Sequence, residues 1–141
     1  MNIAITSPCA KDYNCIAWAA EDDTRWWQPS FNGLSYWPTN TFGDYSLENY
    51  ISAYATIGYE RCDSEYFEEG FQKVALYIDR VNEVTHAARL LDNGFWTSKL
   101  GQAYDIQHPF IRVWENISYE GETWRTADYG KLAAILRRRI P

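Results

Sequence analysis

The chain has few of the residues that most often clamp a fold or carry out chemistry: three cysteines, two histidines and one methionine in 141 residues. An odd set of cysteines (Cys9, Cys15 and Cys62) cannot pair off completely. That excludes a disulfide-framed scaffold and predicts free thiols in a reducing cytoplasm. Basic residues are outnumbered, 13 against 19 acidic, for a net charge of −6. A general nucleic-acid binder needs a basic stripe against the phosphate backbone, so nucleic acid is not expected as a partner. The run Arg137-Arg138-Arg139 is too short to change this and is expected as a solvated strand end. No apolar run approaches the roughly 18 residues of a membrane span, so no membrane association is expected. The first residues lack the basic and apolar regions of a signal peptide. No CxxC or HxxxH spacing occurs, so zinc is not expected, and nothing implies another metal or a cofactor.

What is abundant is aromatic surface: 17% of the residues, including seven tryptophans and eleven tyrosines. Such rings build either a core or a binding groove. With 46% hydrophobic and 23% charged residues, the composition is that of a soluble globular protein, expected as one domain over residues 1–141.

Periodicity gives the order of elements. Residues 1–11 suggest an irregular arm, and 15–20 a short buried helix. Residues 21–45 form a long loop broken by Pro29, Gly33, Pro38 and Gly43 and loaded with large rings. Leu47, Tyr50, Ile51, Tyr54 and Ile57 recur at helical spacing, with Ser46 as N-cap and Gly58 as the stop. Strands are expected at 59–62, 73–78, 84–91 and 95–99, the last two joined by a two-residue Asn93-Gly94 turn. A loop over 100–108, a short helix over 109–116 and a last strand over 130–137 complete the chain. Helices followed by antiparallel strands make the fold class α+β.

The most informative phrase is Asp12-Tyr13-Asn14-Cys15-Ile16-Ala17-Trp18-Ala19-Ala20. Asp12 or Asn14 can cap a helix that opens at Cys15, and a thiol at the positive end of a helix dipole favours thiolate. If Cys15 is a nucleophile with an imidazole base, the base is His86 or His108. Strand alternation places His86 with Val84, Ala88 and Leu90, on a small-residue face that the Cys15 helix is expected to cover. Asp105, His108 and Ser98 are candidates, in that order, for the group that orients the imidazole. With a two-residue turn Ser98 points away from the histidine's face, and a bulge would exchange the faces. The backbone N–H of Cys15 is the first oxyanion donor, with the Asn14 side chain or Tyr13 hydroxyl as the second; Asn14 also reads as a plain cap. Cys62, beside Asp63, reads as structural. Trp26, Trp27 and Trp37 are the expected cleft-facing rings of the aromatic segment.

The Tyr-Asn-Cys-x-x-x-Ala helix start resembles the nucleophile region of papain-like hydrolases of the NlpC/P60 and CHAP type. Residues 73–78, Thr85-His86-Ala87 and the stretch from Asp92 to Gly101 are similar to that group's strand, histidine strand and hairpin. The likeness covers about 12–20 and 71–108 and matches small uncharacterised bacterial or phage-type proteins. It implies a helix headed by the nucleophilic cysteine and packed on an antiparallel sheet, with Cys15 and His86 as the catalytic pair. The activity it implies is hydrolysis of an amide, isopeptide or ester bond in a peptide-like or acylated substrate. A non-catalytic interaction or inhibitor module on the same scaffold, with a protein partner, is the alternative. The oligomeric state is left open.

Overall fold

Residues rich in Val, Ile, Leu, Tyr and Phe lie at the middle of the molecule as long paired strands, while the glycine- and proline-broken segment folds against them without regular structure. The computed structural model describes residues 4–7, 12–99, 105–108, 117–119, 122–124 and 130–140. In chain order these form β1 (Ala4–Ser7), α1 (Cys15–Ala19), α2 (Leu47–Ala55), β2 (Glu60–Cys62), β3 (Phe71–Ile78) and β4 (Val84–Leu90). After them come β5 (Trp96–Lys99), β6 (Asp105–His108), β7 (Ile117–Tyr119), β8 (Glu122–Trp124) and β9 (Lys131–Arg139). Among the described residues seven strands join in one antiparallel sheet, ordered β1-β6-β5-β4-β3-β9-β2, and β7 pairs with β8 separately. The fold is α+β.

One sheet face is covered by both helices and the aromatic segment. Val74 and Leu76 of β3, Ala87 of β4 and Leu136 of β9 share a core with Ile16, Ala17, Tyr50, Tyr54, Trp27 and Trp37. The Tyr54 hydroxyl donates to the Ile16 carbonyl at 2.7 Å and so ties α2 to α1. Opposed residues of antiparallel strands point to the same side. Tyr77, His86, Trp96, Ser98, Ile106 and His108 therefore share the other face, where all are buried.

Four expectations are corrected. Residues 4–7 are a strand on β6 rather than an arm, and 105–108 are a strand rather than part of a loop. The arginines at 137 and 138 are not a solvated end: Arg137 makes two bonds to Glu68, at 2.8 and 2.9 Å, and Arg138 bonds Glu21, Gln72 and the Ile57 carbonyl. Trp27 and Trp37 are core rings, 4% and 3% exposed, not cleft-facing ones; Trp26 is half-buried. The exposed apolar side chains of that segment are instead Phe31, Leu34 and Phe42. The helix expected over 109–116 lies outside the described residues, and no described helix is long and apolar enough to cross a membrane.

Candidate active site

Asn14 sets the start of α1. Its backbone is extended, and its Oδ1 accepts from the Ala17 N–H at 3.1 Å, the bond that defines an N-cap. The same oxygen accepts from the Trp27 N–H at 3.2 Å, while Nδ2 donates to the Trp27 carbonyl at 2.9 Å. Asn14 is thus a cap and a clamp on the aromatic segment, and its amide is committed to those roles rather than to an oxyanion. The Tyr13 hydroxyl is committed too, donating to the Asp105 carboxylate at 2.5 Å. Burial, then Asp105, raises the Tyr13 pKa well above that of a free phenol. The Lys99 Nζ lies 5.4 Å from the centroid of the Tyr13 ring. Asp105 and Lys99 are directly opposed across β6 and β5, and both are buried.

Cys15 is the first residue of α1 and is partly exposed. Burial of its sulfur pushes the thiol up to about 11, although the N–H groups of Ala87, Ile16 and Cys15 and the charge of Lys99 all pull the other way. The resting group is therefore a neutral thiol, and the expected thiolate is corrected: desolvation outweighs the helix terminus. Lys99 is the member of this cluster that sequence reasoning missed. Its signal was its alternation with Thr97, whose hydroxyl accepts from the Trp18 indole N–H at 3.0 Å on the helix-covered face.

His86 faces the other way. A β-bulge at Thr85 lets Val84 join the helix-side core while His86, opposite Tyr77, turns from it. Alternation without the bulge would have kept Val84 and His86 together, which is why the sequence misassigned the face. His86 Nε2 meets the Ser98 hydroxyl at 3.2 Å, and that hydroxyl meets His108 Nε2 at 2.9 Å. The Ser98 hydroxyl thus links the two imidazoles, and the three side chains form a chain across β4, β5 and β6. Ser98 reaches His86 because the hairpin has three loop residues: the Leu91 N–H bonds the Phe95 carbonyl, and Gly94 takes φ +85°. One residue more than the expected turn exchanges every face of β5. Of the three orienting candidates, Ser98 and His108 are therefore brought to His86, while Asp105 lies on the helix side with Tyr13.

The two faces meet at a split. The ladder between β4 and β5 holds two pairs, Arg89–Thr97 and Leu90–Trp96, and ends there. Beyond it the N–H of Ala87, the residue following His86, is aimed at the Cys15 sulfur, while the His86–Ser98 bond bridges the same opening from the far face. Among the described residues no cluster of His, Cys, Asp and Glu suited to a metal occurs. A cavity of about 550 Å³ at the β3–β4 turn contains none of the candidate residues.

Burial, then repulsion from His108, lowers His86 to about 3. Its folded pKa lies below the roughly 6.5 of an exposed imidazole, so between those values the unfolded chain binds a proton that the native one refuses. The stability this contributes is full above pH 6.5 and is lost as pH falls through the window. Thermal melts should show Tm falling already between pH 6.5 and 4.5, above the range of ordinary carboxylates, and His86→Gln should flatten that limb. A flat wild-type profile there would show that His86 is not a buried neutral imidazole.

Neither a curated protein nor a solved structure matches the chain. A family model does match, over residues 4–137, so the chain belongs to the family described as Domain of unknown function (DUF7689).

Proposed function

We propose that this protein is a papain-like cysteine hydrolase that cleaves an amide, isopeptide or ester bond, with Cys15 as nucleophile and His86 as base. One observation carries the reading: the sulfur at the start of α1 lies against the N–H of the residue that follows His86, where β4 and β5 part. With His86 Nε2 engaged by Ser98, the thiol proton goes to Nδ1 as sulfur attacks the acyl carbon. His86 then donates that proton to the leaving amine or alcohol, and water, deprotonated by the same nitrogen, resolves the thioester. This chemistry requires the His86 ring, which rests on the face opposite α1, to reach the sulfur through the β4–β5 opening. The Cys15 N–H, already directed at the sulfur, is the natural oxyanion donor. Because both groups rest neutral, the proton moves during attack rather than before it.

This sets a specific pattern of reactivity. A thiol near pKa 11 is ionised only to about one part in ten thousand at pH 7. Iodoacetamide should therefore modify Cys15 slowly at neutral pH, about tenfold faster for each added pH unit up to that value. An acyl donor such as p-nitrophenyl acetate should nevertheless acetylate Cys15 at pH 7, as read by peptide mass spectrometry. Cys15→Ser should remove the adduct, and His86→Ala should slow its formation about a hundredfold or more, the usual value of a general base. Acetylation that is indifferent to His86 would sink the proposal.

A second reading, the non-catalytic interaction module, is favoured by a different observation. Phe31 and Leu34 stand 80% and 88% exposed at the tip of the aromatic segment, with Phe42 against Phe31. On that reading Cys15 stays unacylated by any donor, and replacing Phe31 and Leu34 together abolishes capture of a protein partner.

A further inference from the structure

We infer that Lys99 is a positioning residue for Cys15: its buried ammonium stands at the β4–β5 opening, on the α1 side, and stabilises the sulfur when the sulfur carries negative charge. The register places it there. β4 and β5 pair at Arg89–Thr97 and then part, and continuing the same register sets Lys99 opposite Ala87. Ala87 is the residue whose N–H is aimed at the sulfur, so Cys15 lies against one lip of the opening and Lys99 forms the other. Alternation puts Lys99 on the same face as Thr97. The Thr97 hydroxyl accepts from the Trp18 indole N–H at 3.0 Å, which fastens α1 to β5 two residues away.

A buried ammonium is costly unless counter-charge and polar groups hold it. Asp105, buried and directly opposite on β6, supplies the counter-charge. Tyr13 donates to that carboxylate at 2.5 Å, its ring centroid lies 5.4 Å from Lys99 Nζ, and it stacks on Trp18 of α1 with centroids 5.4 Å apart. The cation is thereby fixed relative to the helix that carries the sulfur. The other titratable groups around Cys15 are neutral, distant or exposed. Burial raises the Tyr50 and Tyr54 phenols of α2, and that of Tyr13, well above 10. On β4, His86 rests neutral on the far face, and Arg89 stands towards the other end of α1, 5.7 Å from the Trp18 ring centroid. Asp12 and Glu83 are exposed and screened by solvent. Among the described residues Lys99 is thus the cation placed to favour thiolate, and its attraction acts on the sulfur against the larger effect of burial. The inference concerns the charge on the sulfur alone, so it extends beyond the hydrolase reading and does not need His86 as base.

Alkylation of Cys15 in the full chain at about pH 8, by neutral iodoacetamide and by anionic iodoacetate, tests this; peptide mass spectrometry separates Cys15 from Cys9 and Cys62. Lys99→Met should slow iodoacetamide about tenfold or more, the change that goes with losing one nearby opposite charge. Iodoacetate should slow further, because the anion loses its own attraction as well. Asp105→Asn removes the counter-charge while its amide oxygen can still accept from Tyr13, and should speed both reagents. Lys99→Arg should stay near wild type. Thr97→Val loosens α1 on β5 without touching a charge, and should leave the ratio of the two reagents unmoved. An unchanged rate in Lys99→Met, or equal slowing of both reagents, overturns the inference. Should Lys99→Met fail to fold, Asp105→Asn decides: faster alkylation upholds the inference, and an equal or slower rate overturns it. Alkylation indifferent to Lys99 beside acetylation that depends on His86 would overturn this inference and leave the hydrolase standing. The reverse pattern would do the opposite.

Discussion

Gly130→Ala is expected to destabilise the protein by about 2–6 kcal/mol, the sum of a left-handed backbone at roughly 1–3 and forced displacement at roughly 1–3. Gly130 takes φ +86° immediately before β9, a conformation that L side chains rarely adopt. A Cβ there would stand 2.1 Å from the Ile78 carbonyl oxygen and 2.9 Å from Thr85 Oγ1. The first of these is backbone and cannot swing aside. Thr85 is also the residue that bulges, so relief on that side would disturb the feature that turns His86 from the helix face. Gly70→Ala is the control, because Gly70 has φ +85° but open space around it. It should lose only the conformational part, about 1–2 kcal/mol. Urea melts of both variants give the comparison, and similar losses would show that Gly130 is required for its φ alone.

Trp27→Ala should cost about 3–5 kcal/mol, the usual loss for deleting a large core ring. The Trp27 ring lies 5.3 Å from Tyr36 and 6.0 Å from Tyr54, and its indole N–H donates to Asp22 at 2.9 Å. Its backbone is held by Asn14 through both polar groups, so the substitution empties the space between the aromatic segment and α2 without releasing the chain. Phe31→Ala, at a ring 80% exposed, should stay within about 0.5 kcal/mol of wild type. If the two variants melt alike in denaturant, the segment is not packed as described.

The local chemistry was legible in the sequence where it depends on one element at a time. The period of Leu47, Tyr50 and Tyr54, with the Ser46 side chain accepting from the Asn49 N–H, gives α2 directly. The Asn14 cap gives the start of α1 in the same way. What depends on counting residues between elements was not legible. One bulged residue at Thr85 moved His86 to the far face, and one extra loop residue at the 92–94 turn moved Ser98 to join it. Asp105 was the first candidate to orient the imidazole but lies with Tyr13 instead, because β6 is a strand of only four residues with no turn signal to announce it. Trp27 and Trp37 were misplaced for another reason. Proline and glycine around a ring say that the backbone is irregular, and they do not say which way the ring points. The sign of the Cys15 shift was missed because a helix terminus can be read from sequence, whereas the dryness of its surroundings cannot.

β9 has a consequence for how the chain folds. It lies inside the sheet, between β3 and β2, yet it follows every other element in the chain. Until residues 131–139 are available, β2 has no neighbour and β3 presents a bare edge along its whole length. The pairing that closes the sheet joins Phe71 to Arg139, and the one at the other end joins Ala4 to Gln107, so both demand long loop closures before any contact repays them. Closure of the sheet thus waits until residue 139 has been made. In that interval the exposed β3 edge, rich in Val, Leu, Tyr and Ile, is open to pairing with another chain.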